Sequence, residues 1–198
     1  MRTLAHYLSV AALCLASGLL AGCAVPRMID SDVQSFVGTA SAVTGATYKF
    51  ERLPSQANIP AQDQIEALAV DALAQAGLQR SNTSPRYLAQ VGLSVEGMRN
   101  PNYRPPRSRL VLGTNGIWYE QALFMDMESP WYRHQVHVLL REAATGHVAY
   151  ETTATFDGPW SDTLNLLPPI LEAALRDYPT PGTRRVVVEL PNPNAGAL

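Results

Sequence analysis

Cysteine is almost missing. The 198-residue chain has two, Cys14 and Cys23, both in its first 23 residues. That excludes a disulfide scaffold and a Cys-x-x-Cys zinc site. Lysine is scarcer still: Lys49 stands alone against 14 arginines, so arginine richness at any one place says little by itself. No charge of one sign dominates. The 15 basic and 17 acidic residues leave a net charge of −2, not the basic excess of a dedicated nucleic-acid binder. No apolar run reaches the about 20 residues that a membrane-spanning helix needs. The chain has no P-loop, no G-x-G-x-x-G and no G-x-S-x-G. Nothing therefore marks a phosphate-cradling loop or an activated serine, and we assign no catalytic residue and no cofactor. What remains is 46% hydrophobic and 16% charged, apolar enough for one domain with a real core.

The first 23 residues stand apart. After Arg2 and His6, Leu8 to Leu20 is apolar or small throughout, the length of a signal-peptide core. The run ends in Leu20-Ala21-Gly22-Cys23, which resembles the lipobox of bacterial lipoproteins. That resemblance implies cleavage before Cys23, a diacylglycerol on its sulfur and acylation, such as palmitate, of the new amine. Several acyl chains, at ~0.8 kcal/mol per buried methylene, make a stable anchor. Ala24 rather than Asp follows Cys23, and by the sorting rule of many Gram-negative lipoproteins this favours the periplasmic face of the outer membrane. The chain thus divides into a signal peptide (1–22), a lipidated tether (23–32), a domain (33–190) and a loose tail (191–198). From Cys23 onward, 14 basic and 17 acidic residues give a net charge of −3 and leave no second cysteine.

Within the domain, Val33–Val37 and Tyr48–Glu51 read as short strands. Ala61 to Ala76 reads as a helix, with Ile65, Leu68, Ala69, Ala72, Leu73 and Ala76 on one apolar face and Gly77 ending it. Tyr87–Gly97 alternates as a half-buried strand does. A proline-rich stretch from Arg99 to about Asn115 follows, with Leu110–Leu112 and Ile117–Tyr119 as short strand candidates. Arg133 to Phe156 predicts an antiparallel hairpin turning at Ala143–Gly146. Leu167–Leu175 predicts a second helix, with Pro168 and Pro169 in its first turn, and Val186–Val188 a last, buried strand. Two amphipathic helices need a sheet to bury against. The fold class expected is α+β: a two-layer sandwich, a mostly antiparallel sheet of five to six strands with both helices on one face.

The layout resembles the DUF4136 family of bacterial lipoproteins. The residues that carry the resemblance are Gly45-Ala-Thr-Tyr-Lys-Phe50, Leu53-Pro-Ser-Gln56, the helix Ile65–Gly77 with Leu78, the Tyr87 strand, Val136–Leu140 and Thr145-Gly-His-Val-Ala-Tyr150. It spans roughly residues 33–190. It implies an α+β envelope lipoprotein and brings no catalytic residues.

Metal chemistry finds little support. His134 and His137 are three apart on a strand and so face opposite ways, and only His147 could join either. Ser161-Asp162-Thr163 reads as a helix cap. The unusual segment is Arg99–Arg133. Arg99, Arg104, Arg107 and Arg109 crowd its start, and Trp118, Tyr119, Trp131 and Tyr132 follow. Arginine and large aromatics are the side chains enriched at interface hot spots, and arginine also pairs with phosphate and carboxylate. These eight residues are the candidate contact surface for an envelope protein, lipid or glycan. The bland alternative is that the aromatics cap the sheet while the arginines stay solvated. The function expected is a non-enzymatic binding or scaffolding lipoprotein. An accessory lipoprotein of a transport complex and a periplasmic hydrolase are the alternatives.

Overall fold

The computed structural model describes residues 27–104, 108–122 and 128–190. The elements run β1 (Arg27–Val37), β2 (Thr47–Phe50), α1 (Gln62–Gln75), β3 (Gln79–Arg80), β4 (Tyr87–Met98), β5 (Ser108–Leu112), β6 (Trp118–Ala122), β7 (Trp131–Glu142), β8 (Val148–Gly158), α2 (Thr163–Leu175) and β9 (Gly182–Leu190). Seven strands form one mixed, mostly antiparallel sheet in the order β3-β2-β4-β7-β8-β1-β9. β2 runs parallel to both β3 and β4; the β4–β7, β7–β8 and β8–β1 pairs are antiparallel. β5 and β6 form a separate two-stranded hairpin.

The α+β class is as expected, with more strands than the five or six foreseen. β3 is only two residues long and shows no alternation to read. β9 extends well beyond Val186–Val188, and only Val186 and Val188 of that trio are buried, Val187 being 45% exposed. A larger correction concerns the start. Residues 27–32, expected as tether, belong to β1, where Ile29, Ser31 and Val33 point into the core. The two serines and two aspartates around Val33 hid a strand whose inner face tolerates small polar residues.

The alternation of β7 and β8 places His134, Val136, Val138 and Leu140 on the same face as Tyr150, Thr152, Ala154 and Phe156. α2 lies over β7, β8 and β9, α1 lies over β3 and β4, and the two helices touch. Both therefore cover one face of the sheet. Ile65, Ala69 and Leu73 of α1 meet this layer as their spacing requires, and α1 ends at Gly77 with φ +82°.

α2 starts four residues earlier than expected, at Thr163, so Pro168 and Pro169 sit inside it rather than in its first turn. Each proline removes one i→i−4 hydrogen bond. Burial of Leu166, Leu167, Ile170 and Leu171 compensates. Asp162 holds the N-cap position, yet its side chain accepts from the Asn165 amide rather than from a helix N–H. Near the end of α2, Thr152 Oγ1 donates to the Ala174 carbonyl at 3.0 Å inside the core.

The sheet's other face carries paired charges, with Phe36 and Val187 exposed among them. Arg133 grips Asp157 through two bonds of 2.8 and 2.7 Å. His137 Nε2 lies 2.9 Å from Glu151. Arg185 and Asp30 link β9 to β1, and Glu51 receives both Arg141 and the Gln90 amide.

Candidate functional site

The segment between β4 and β7 carries the candidate contact residues, and the structure divides them. Met98 pairs with Trp131 where β4 ends and β7 begins, so the whole segment leaves and re-enters at one end of the sheet. Asn100 closes its base: the backbone N–H donates to Glu128 at 2.6 Å and the side-chain amide to the Ser129 carbonyl at 3.2 Å.

Trp131 and Tyr132 belong to the sheet. Both are half-buried, and Tyr132 sits beside His134, which is followed by Phe156 and then the Trp160 ring stacked on Phe156. The Tyr132, His134, Phe156 and Trp160 rings line one end of the sheet. His134 is fully buried, with Nε2 2.9 Å from the Trp160 carbonyl.

Trp118 and Tyr119 lie outside the seven-stranded sheet. They begin β6 and are 63% and 49% exposed. Opposite them, Leu112 faces Trp118 and Val111 faces Tyr119. Leu110 is 63% exposed, Leu112 53% and Ile117 57%. The alternation places Leu110 and Leu112 on the same face as Trp118, and no described side chain of the hairpin is buried.

The turn that displays these residues is tightly made. Gly113 N–H donates to the Ile117 carbonyl at 2.8 Å, and Gly116 N–H to the Gly113 carbonyl at 2.9 Å. The Asn115 carboxamide accepts from Ile117 N–H at 3.1 Å and donates to the Tyr119 hydroxyl at 2.5 Å. A fixed turn thus presents the apolar residues.

Arg99 and Arg104 are exposed near the base of the segment. Arg107 lies outside the described residues, and Arg109 is described by its backbone alone, opposite Gln121. Cys23 also lies outside the described residues. Sequence reasoning singled out the arginines and aromatics as contact residues and read Leu110–Leu112 and Ile117–Tyr119 only as short strands, which β5 and β6 bear out. The available signal was a run of apolar residues around an Asn-Gly turn.

The three histidines do not converge. His134 points into the core, His137 outward to Glu151, and His147 is exposed past the turn between β7 and β8. Among the described residues no three metal-ligating side chains gather. A shallow groove of about 160 Å³ lies between the last turns of α1 and α2, lined by Ala72, Gln75, Ala76, Glu172, Leu175 and Arg176. It is smaller than the ~300 Å³ at which ligand pockets begin, and Glu172 and Arg176, one turn apart on α2, pair with each other.

No family model matches the chain, and no curated protein does. Solved structures that resemble it include a PDZ domain protein from Parabacteroides distasonis, 15% identical with a TM-score of 0.49. That match covers 82% of this chain and 38% of the other, so the chain spans well under half of it. Two dodecamer structures of PelC from Paraburkholderia phytofirmans are 15% and 14% identical, with TM-scores of 0.41 and 0.42, over 73% of this chain and 94% of theirs.

Proposed function

We propose that this protein is a non-enzymatic envelope lipoprotein, held by lipid on Cys23 at the periplasmic face of the outer membrane. In this reading it is a DUF4136-like domain that acts as a binding or scaffolding module. The observation that carries the reading is the pairing of Leu20-Ala21-Gly22-Cys23 with a strand that begins at Arg27. Only Ala24, Val25 and Pro26 separate the acylated position from the sheet. Four residues of fully extended chain reach at most ~14 Å. A lipid on Cys23 would hold the start of β1 close to the bilayer surface.

The test is metabolic labelling with palmitate in a Gram-negative host, followed by separation of inner and outer membranes. The wild-type chain is expected to take up label and to fractionate with the outer membrane. Cys23→Ser is expected to lose the label. An unlabelled wild-type chain that is released with soluble periplasmic proteins would overturn the reading. The exposed hairpin gives a second reading its footing, that of an accessory subunit in a transport complex. In-cell cross-linking that repeatedly recovers one larger membrane complex through residues 108–122 would favour it.

A further inference from the structure

The start of β1 and the root of the segment that bears the β5–β6 hairpin lie at the same end of the sheet. β1 runs antiparallel to β8, so the start of β1 lies beside the end of β8. β8 in turn ends beside the start of β7, with Tyr132 opposite Gly158, and β7 starts beside the end of β4. The segment that bears the β5–β6 hairpin leaves from that end.

We propose that the β5–β6 hairpin is a second membrane contact, its apolar face of Leu110, Leu112 and Trp118, with Ile117 at the turn, lying in the headgroup–acyl boundary of an anionic bilayer. The proposal rests on the lipoprotein reading for the identity of that bilayer: the lipid on Cys23 brings this end of the sheet to the same surface.

Three further observations support a lipid surface. First, the hairpin is two-stranded and displays its apolar side chains to water. Two strands alone are marginal in water, and a covering surface is what such a pair lacks. Second, the residues suit an interface. The Trp118 indole has a broad apolar ring and one N–H donor, the amphipathic build that settles at headgroup level. The leucines and isoleucine beside it supply the part that enters the acyl boundary. Third, charge agrees. From Arg99 to Tyr119 the chain has four arginines and no acidic residue; Glu120, paired with Leu110 toward the base of the hairpin, marks where the apolar face ends. Exposed Arg99 and Arg104 at the base would face anionic headgroups while the tip goes deeper.

The experiment uses the full chain, purified from membranes and reconstituted in vesicles of phosphatidylethanolamine and phosphatidylglycerol, with and without bromine on the acyl chains. Bromine quenches tryptophan emission only at close range. Wild-type protein is expected to lose emission in the brominated vesicles, and Trp118→Phe to lose markedly less. Leu112→Ser/Ile117→Ser keeps Trp118 and is expected to reduce its quenching, with circular dichroism unchanged because neither residue is in the core. Equal quenching in wild type and Trp118→Phe overturns the proposal, as it would if a protein partner covered the patch instead.

An intact mass of the same preparation reports acylation of Cys23 separately. If the mass shows no acyl group, the lipoprotein reading fails. The unacylated protein is then added to preformed vesicles: quenching that depends on Trp118 upholds the hairpin contact, and its absence overturns it.

Discussion

Two hairpins in this molecule use nearly the same local chemistry to opposite ends. β7–β8 and β5–β6 are both antiparallel, and both turn through a glycine at positive φ, Gly146 at 73° and Gly116 at 74°. Both place apolar residues at alternate positions. In β7 those positions, Val136, Val138 and Leu140, are fully buried under the helices. In β5 the equivalent positions, Leu110 and Leu112, are 63% and 53% exposed. Alternation decides which side chains share a face. What covers that face depends on an element elsewhere in the chain, or on another surface altogether.

The comparison breaks most sharply by truncating one leucine in each hairpin. Leu140→Ala removes a fully buried side chain and is expected to cost about 2–5 kcal/mol, through lost transfer energy and the cavity left behind. Leu112→Ala changes an exposed position and is expected to stay within about 0.5 kcal/mol of wild type. Urea denaturation followed by circular dichroism measures both. A Leu112→Ala loss as large as that of Leu140→Ala would mean that the hairpin is folded into the domain's core.

Next in size is the buried hydrogen bond that ties β8 to α2. Thr152→Val keeps the shape and removes the donor to the Ala174 carbonyl. It is expected to cost about 1–3 kcal/mol, because the carbonyl is left dry and unpaired. Thr155, whose side chain belongs to the sheet's other face, makes the matched control, since Thr155→Val is expected to stay within about 0.5 kcal/mol of wild type.

Such contrasts also show what the sequence made legible. The β7–β8 hairpin and α1 were readable because periodicity, turn and burial all agree there. The first turns of α2 were not, because two adjacent prolines argue locally for a helix start, and only the burial of Leu166 and Leu167 shows otherwise. β1 was half legible: Val33–Val37 reads as a short strand with apolar residues on both faces, while Ser31 and the flanking aspartates look like tether until the sheet gives them a face. The contact site was half legible too. Its residue types drew notice, yet Trp131 and Tyr132 proved to be part of the sheet end while Trp118 and Tyr119 stand exposed. Nothing local distinguishes the two pairs, since each is a Trp-Tyr dipeptide at a strand start. Their difference comes from β4 and β8 flanking one and only β5 flanking the other.

A smaller effect sharpens the turn comparison. Adding a methyl group at a positive φ costs ~1 kcal/mol or somewhat more. Gly146→Ala is expected to lower the stability of the whole domain by about that amount, because its turn belongs to the cooperative sheet. Gly116→Ala places the same strain in a hairpin outside the core. It is expected to leave the global midpoint unchanged and to raise amide exchange only at residues such as Gly113 and Ile117. Exchange measured residue by residue separates the two outcomes.

The smallest effect concerns acid. On the sheet face that carries the paired charges, Glu51 accepts from the Gln90 amide and then from Arg141, and these bonds hold its carboxyl below the ordinary value of 4.5. A carboxylate whose folded value is depressed stabilises the fold above its unfolded value, and that stabilisation disappears as pH falls through the folded value. The contribution of Glu51 is therefore full at neutral pH and fades below pH 4.5. Glu51→Gln removes the titration while keeping much of the shape. Midpoints of wild type and Glu51→Gln should differ most at neutral pH and converge in acid. The gap should stay small throughout, because the group is partly solvated and water screens it. The β5–β6 hairpin, with no described side chain bonded to Glu51, should exchange its amides alike in both proteins. A gap that widened as pH fell would reverse the sign and show that Glu51 is held protonated.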